Sequence, residues 1–224
     1  MSARFDLDSP FQGPPLSLIS DAKGGIFLFY GDSALFGLAP LLAGWRLSRG
    51  ERVLFLDGDN RFNPYPLVEL AKEIGHDPKN FLSSLFISRA FTCHQMGSLV
   101  LNQLQSGLTT RHPRLAILCA PLETFYDEAV PFIEAKNLLL HIVAALRRLA
   151  PDRIFVILSP FPQKSAGRRT FFLSHLKTTA GRIFRVDRTR DTLQSAVRIT
   201  EEKPEAGQWV FPIEMPKPAH VYRY

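Results

Sequence analysis

Short apolar runs alternate along the chain with segments whose apolar residues recur at helical spacing, which predicts a parallel sheet with crossover helices. Ile26–Tyr30 (IFLFY) predicts a first strand, buried on both faces and closed by Gly31. Residues 34–48 predict a helix stopped at Gly50, and Val53–Asp57 (VLFLD) a second strand. Leu67–Ile74 predicts an amphipathic helix ended by Gly75, and Leu85–Ser88 a third strand. A helix follows over about 95–106, carrying Leu99, Leu101 and Leu104, and then a fourth strand at Leu115–Cys119 (LAILC). Phe132–Leu149 is the clearest helix, with Ile133, Leu138, Ile142, Leu146 and Leu149 at its spacing. Arg147 and Arg148 suit the negative end of its dipole. Ile154–Leu158 (IFVIL) predicts a fifth strand. The rhythm then shortens: Arg182–Val186, Ser195–Thr200 and Trp209–Ile213 predict antiparallel strands added to one edge. The fold class is α/β, a mostly parallel sheet flanked by helices with C-terminal antiparallel strands. Residues 16–214 form one core, between a flexible tail at 1–15 and an extended, Pro-bearing tail at 215–224.

A length of 224 residues fits one domain. With 46% hydrophobic and 21% charged residues, the composition argues against disorder. No apolar run reaches the ~18–20 residues of a membrane span, and the N-terminal stretch lacks the apolar core of a secretory signal. Two cysteines, Cys93 and Cys119, exclude a disulfide framework and point to a reducing, cytoplasmic setting. Charge changes the picture more. Residues 1–150 balance 14 basic against 14 acidic side chains, while 151–224 hold 13 against 7, so the whole net charge of +6 lies in the last third. Its densest stretch carries Lys164, Arg168, Arg169, Lys177, Arg182, Arg185, Arg188 and Arg190 against Asp187 alone. Such a field attracts polyanions, and it is equally the pattern of a solvated basic face.

A strand, a glycine turn and a helix at 26–48 are the setting of a phosphate-binding loop, GxxxxGK[ST]. The segment here reads GDSALFGL. Counted from Gly31, Phe36 replaces the second glycine, Gly37 the lysine and Leu38 the hydroxyl residue. No lysine occurs between Lys23 and Lys72, and Asp32 adds repulsion. The context of a phosphate loop is present without its chemistry.

The glycine turn after 26–30, GERVLFLDGDNRFNPYPL at 50–67, SRAFTCHQ at 88–95, LAILCAP at 115–121 and FVILSPFPQ at 155–163 stand in an ordered series. In that order and spacing the chain resembles the RecA/RadA recombinase core, including RadB-like and KaiC-like members and the eukaryotic recombinase paralogues, over about residues 16–214. The resemblance implies a RecA-like P-loop NTPase fold. Asp59 falls at the position of the family's catalytic Glu, one methylene shorter, and Cys119 at the Walker B carboxylate that holds magnesium. With the lysine, the hydroxyl and that carboxylate all absent, the resemblance implies a pseudo-ATPase: not an enzyme, and with no cofactor. It also implies that Ser159–Thr170 matches the second DNA-binding loop, with Lys164, Arg168 and Arg169 on phosphate. Leu122–Ala129 matches the first loop, acidic here through Asp127 and Glu128.

Lys164, Arg168, Arg169, Lys177, Arg182 and Arg185 are therefore the candidate nucleic-acid residues. The function expected is a DNA-associated accessory of recombination or repair, binding single- or double-stranded DNA or pairing with an active recombinase. The alternative is a protein-docking scaffold that uses the degenerate nucleotide face. An apolar Ala34–Leu38 loop left open would favour a homo-oligomer or another protein partner. Asp57, Asp59 and Asp127 could bind a metal, though Asp57 could equally cap the following loop. Cys93-His94 and Cys119 lack zinc-ligand spacing, so burial is expected and no metal. Phe171-Phe172 beside the arginine pair is either a base-stacking platform or core.

Overall fold

The computed structural model describes residues 16–162, 164–189, 196–203 and 205–212. The predicted tails, Arg190, Ser195 and Ile213 lie outside those residues. Six parallel strands, β1 (Gly25–Gly31), β2 (Val53–Asp57), β3 (Leu85–Arg89), β4 (Leu115–Cys119), β5 (Ile154–Pro160) and β6 (Arg182–Arg188), are followed by two antiparallel ones, β7 (Ala196–Lys203) and β8 (Glu205–Pro212). They form one sheet in the order β3-β2-β4-β5-β1-β6-β7-β8.

The continuous apolar runs are explained by helices on both faces. Helices α1 (Leu16–Ser20), α2 (Leu38–Ser48), α3 (Tyr65–Glu73) and α4 (Pro78–Leu82) share a core with Phe27, Phe29, Phe55 and Ile117. Helices α5 (Cys93–Ser98), α6 (Leu104–Arg111), α7 (Phe132–Leu149) and α8 (Phe171–Thr179) pack on Ile26, Leu28, Leu54 and Leu118 on the other face. Because β1 and β2 lead into helices on the first face and β4 and β5 into helices on the second, the connections part company at β1/β5 and again at β2/β4. Ligands of open α/β sheets bind in crevices outside the carboxyl ends of strands at such switch points. That edge is the place to look for a site. No helix among the described residues is long and apolar enough to cross a membrane.

Strand β6, expected among the antiparallel strands, runs parallel to β1, because α8 carries the chain back across the sheet from β5 before it. The helices differ from expectation as well. The helix predicted from residue 34 begins as a 3₁₀ turn, Ser33–Gly37, and becomes α-helical only at Leu38. The helix predicted over 95–106 runs from Cys93 to Arg111, α5 and α6 being joined by a π-helical turn at Leu99–Gln103. Thr92 starts it: its hydroxyl accepts from the Gln95 N–H, while the Gln95 side chain accepts from the Phe91 N–H, a near capping box. Helices α1, α4 and α8 have no counterpart in the sequence reading. In α8 the buried apolar positions Phe172, Leu173 and Leu176 span little more than one turn, too few to display an apolar period.

Candidate functional site: the carboxyl edge of the sheet and its basic flank

Gly31 ends β1 at φ +139°, and a Cβ built there would stand 2.0 Å from the Val186 carbonyl oxygen of β6. Only glycine fits so close to a neighbouring strand. The next residue continues the contact, the Asp32 N–H donating to the Val186 carbonyl at 2.8 Å. The Asp32 carboxylate then caps the 3₁₀ turn by accepting from the Ala34 N–H at 2.8 Å. Ala34, Leu35 and Leu38 point into the core, at 4%, 0% and 1% exposure. Phe36 is half-buried beneath the Arg61 guanidinium, 4.8 Å from its ring. The N–H groups of Ala34 and Leu35, which a phosphate loop would offer to its ligand, are spent on Asp32. Gly37 is half-buried inside the same turn. The apolar loop is thus filled by its own chain, which removes the open patch from which an oligomer was expected.

At the second switch point Asp57 is fully buried and tied to its own loop. Its Oδ1 accepts from the N–H groups of Asp59 and Arg61 at 3.3 and 3.1 Å, and its Oδ2 from Phe62 at 2.9 Å. This is the capping role, and it lets Asn60 take φ +52°. Asp59, at the catalytic-Glu position, forms an ion pair with Arg61. Cys119 stands beside Asp57 in register on β4. Burial first, and the Asp57 charge second, push its thiol far above the ordinary range, so it stays neutral. A second carboxylate there would have faced Asp57 in a dry site; a thiol does not. Cys93 is buried too, and its thiol is raised by burial.

Neighbouring loops are stitched across the edge. Gly58 N–H donates to Cys119 O, Ala120 N–H to Leu158 O and Phe161 N–H to Gly31 O, each at 2.8 Å. These bonds continue the parallel ladders of β2, β4, β5 and β1 one residue past the strands. Two buried polar atoms nearby, Ser159 Oγ and Tyr126 Oη, have no partner among the described residues, and burial raises the Tyr126 pKa. Among the described residues no three His, Cys, Asp or Glu side chains gather to hold a metal. Two open grooves of about 410 Å³ each lie elsewhere, one between β3 and α6, the other beside Gly75 and His76.

The basic segment is dispersed by the fold. Arg169 is 6% exposed, its guanidinium donating to the carbonyls of Phe125 (2.7 Å) and Val130. It clamps the 3₁₀ turn Pro121–Phe125, so the first half of the predicted first loop, with Leu122, Thr124 and Phe125, is buried, while Asp127, Glu128 and Ala129 are exposed. Arg182 pairs at 2.7 Å with Glu201, whose side chain is 0% exposed. Lys177 pairs with Glu202 at 2.9 Å and donates to the Tyr30 hydroxyl, which donates on to Glu202. Arg185 meets Asp187 at 3.0 Å and Arg188 meets Asp32 at 3.3 Å. Lys164 opens the 3₁₀ segment Lys164–Thr170, which kinks at Gly167, and its side chain lies outside the described residues. Arg168 is exposed and lies over the Phe132 ring at 4.8 Å. Phe172 is fully buried and is core, while Phe171 is half-buried, with His175 and Phe132 against its ring.

Sequence reading missed Lys136 and Arg147 on α7, which lie over α8 beside Phe171 and Thr178. Their spacing of 11 residues, three helical turns, was the available signal. No family model matches the chain.

Proposed function

We propose that this chain is a RecA-like pseudo-ATPase, an accessory protein of DNA recombination or repair that binds DNA or pairs with an active recombinase and turns over no nucleotide. The resemblance in motif order supplies the family. The α/β architecture with its C-terminal antiparallel strands agrees with it. The observation that supports a loss of catalysis is that the Ala34 and Leu35 N–H groups bond to Asp32 while the turn's apolar side chains are turned into the core. Restoring the lysine alone would leave those two N–H groups committed to Asp32. ATP with magnesium is expected to leave the melting temperature unchanged. A ligand at 100 times its dissociation constant stabilises by about 2.7 kcal/mol, so a clear magnesium-dependent rise would overturn the reading.

A second reading, a protein-docking scaffold without nucleic acid, draws on a specific observation. Lys177, Arg182 and Arg185 are each neutralised by a carboxylate, while Phe161, at the mouth between β1 and β5, is 47% exposed. Oligonucleotide binding measured by anisotropy separates the two, since the scaffold binds neither strand form at moderate salt.

A further inference from the structure

We infer that the face shared by α7 and α8 is a nucleic-acid backbone site, built on Lys136, Arg147 and Arg168. The inference rests on the DNA-binding reading above and moves the contact away from β6.

The first observation is how these cations are held. Arg168 lies over Phe132 at 4.8 Å and Lys136 over Phe171 at 5.2 Å, and Arg147 donates to the Thr178 carbonyl at 3.3 Å. None of the three is in an ion pair among the described residues. An aromatic face orients a cation without cancelling its charge, unlike a carboxylate. Phe132 and Phe171 meet edge to face at 6.3 Å, and Phe171 stacks on His175 at 5.5 Å, so the rings form one rigid support for the two charges.

The second observation is geometry. Eleven residues separate Lys136 from Arg147, which returns them to one face of α7 within about 20° and about 16 Å apart. Arg168 extends the row beyond Lys136 through Phe132, one turn earlier on the same helix. The burial of His175 lowers its pKa, and the charges of Arg147 and Lys136 lower it further, so both cations are felt at its ring. Glu134 is the only carboxylate on either helix, and it turns away to His94 at 3.3 Å. A row of unquenched charges on a rigid support matches a polymer whose charge repeats at a fixed spacing along a line, which is a phosphodiester backbone. An acidic peptide has no such fixed repeat.

The test uses the whole chain and fluorescein-labelled oligonucleotides, single-stranded and duplex, in an anisotropy salt series. Lys136→Gln/Arg147→Gln/Arg168→Gln is compared with Lys72→Gln/Lys79→Gln, which removes two exposed lysines from the opposite face of the sheet. The α7–α8 variant is expected to bind about tenfold or more weakly near 100 mM salt. Its logarithmic salt slope is expected to fall by about 0.7 per lost contact on a single strand, or about 0.9 on duplex. The α3–α4 variant is expected to match wild type. Circular dichroism and melting report folding, and the single variants Lys136→Gln and Arg147→Gln, each expected to weaken binding part-way, replace the triple variant should it melt early. Wild-type binding that the α7–α8 variants leave unchanged would overturn this site while the DNA-binding reading stands. Wild type that binds no oligonucleotide would overturn both. Polyglutamate displacing the oligonucleotide at equal charge concentration would also overturn the site, assigning the face to an acidic protein partner.

Discussion

Two groups of cations are treated in opposite ways by the fold. Along β6 each cation is met by a carboxylate, Arg182 by Glu201, Arg185 by Asp187 and Arg188 by Asp32, and Lys177 near the end of α8 is met by Glu202. Between α7 and α8 the cations rest on rings or on a helix carbonyl, with no carboxylate facing them. A basic count along the chain picks out the first group and, of the second, only Arg168. Electrostatics separates the two, because a neutralised cation holds the sheet edge together while a ring-supported one keeps its field for a ligand. The pairing of the first group points to stability, the second group is the one inferred above to bind, and the difference can be broken open by substitutions.

The largest effect is expected at Glu201. Its side chain is fully buried, one oxygen pairs with Arg182, and the other has no partner among the described residues. Removing one partner of a buried pair costs about 3 kcal/mol because the other charge is stranded. Arg182 is 27% exposed and can partly reach water, so Glu201→Gln is expected to lower stability by about 2–3 kcal/mol in urea titration, with oligonucleotide affinity unchanged. A loss below about 0.5 kcal/mol would remove the distinction on this side.

Arg169 comes next and is the residue most misread by charge counting. It donates to the Phe125 and Val130 carbonyls, holding the Pro121–Phe125 turn against α8. Leaving those buried acceptors unpaired costs about 1–3 kcal/mol. Arg169→Ala is expected to lose about 2 kcal/mol in denaturant titration and to leave the salt slope of DNA binding as in wild type. Arg168→Gln, one residue away, is expected to do the reverse.

What was legible in the sequence follows from where periodicity is long. Five parallel strands and the 18-residue helix α7 are read correctly because their apolar runs or repeats extend over enough residues. The sixth, β6, was read as antiparallel because the crossover helix α8 before it went unseen, and α8 escapes because its buried apolar positions cover only about one turn and it opens with two adjacent phenylalanines. At the carboxyl edge, the departure of Phe36, Gly37 and Leu38 from GxxxxGK[ST] was legible. The need for glycine at Gly31 was not, since it depends on the Val186 carbonyl of β6, 2.0 Å from where a Cβ would stand. The fate of the arginines was illegible for the same reason: their partners Glu201, Phe125 and Val130 come from distant segments.

Acid is expected to weaken the paired group in a defined window. Burial works to raise the Glu202 pKa, but hydrogen bonds from Lys177 and Tyr30, with the charges of Lys177 and Arg185, outweigh it and hold the carboxyl below its usual value. A depressed carboxyl pKa means that the unfolded chain binds more protons near that value. The contribution is present above the ordinary glutamate pKa of about 4.3 and is lost as pH falls through the lower, folded value. The stability gap between wild type and Glu202→Gln is therefore expected to be constant from pH 7 to about 5 and to close towards pH 3. Melting curves across that range check it, and a gap that persists at pH 3 would deny the pair its role. Lys177, raised by its bonds to Tyr30 and Glu202 against the pull of burial, loses its share only in strong alkali.

The smallest effect is expected where the cations rest on rings. Exposed cation–π contacts contribute about 0.5–1 kcal/mol each, and Gln keeps most of the side chain's apolar stem over the ring. Lys136→Gln and Arg168→Gln are each expected to change stability by less than about 1 kcal/mol, well below Glu201→Gln. A residue that leaves the fold nearly untouched while its charge stands without a carboxylate partner has its charge free for a ligand. If either variant instead lost about 2 kcal/mol or more in urea titration, its cation would be holding α7 against α8. The ring-supported group would then join the paired one as structural, and the contrast between the two regions would vanish.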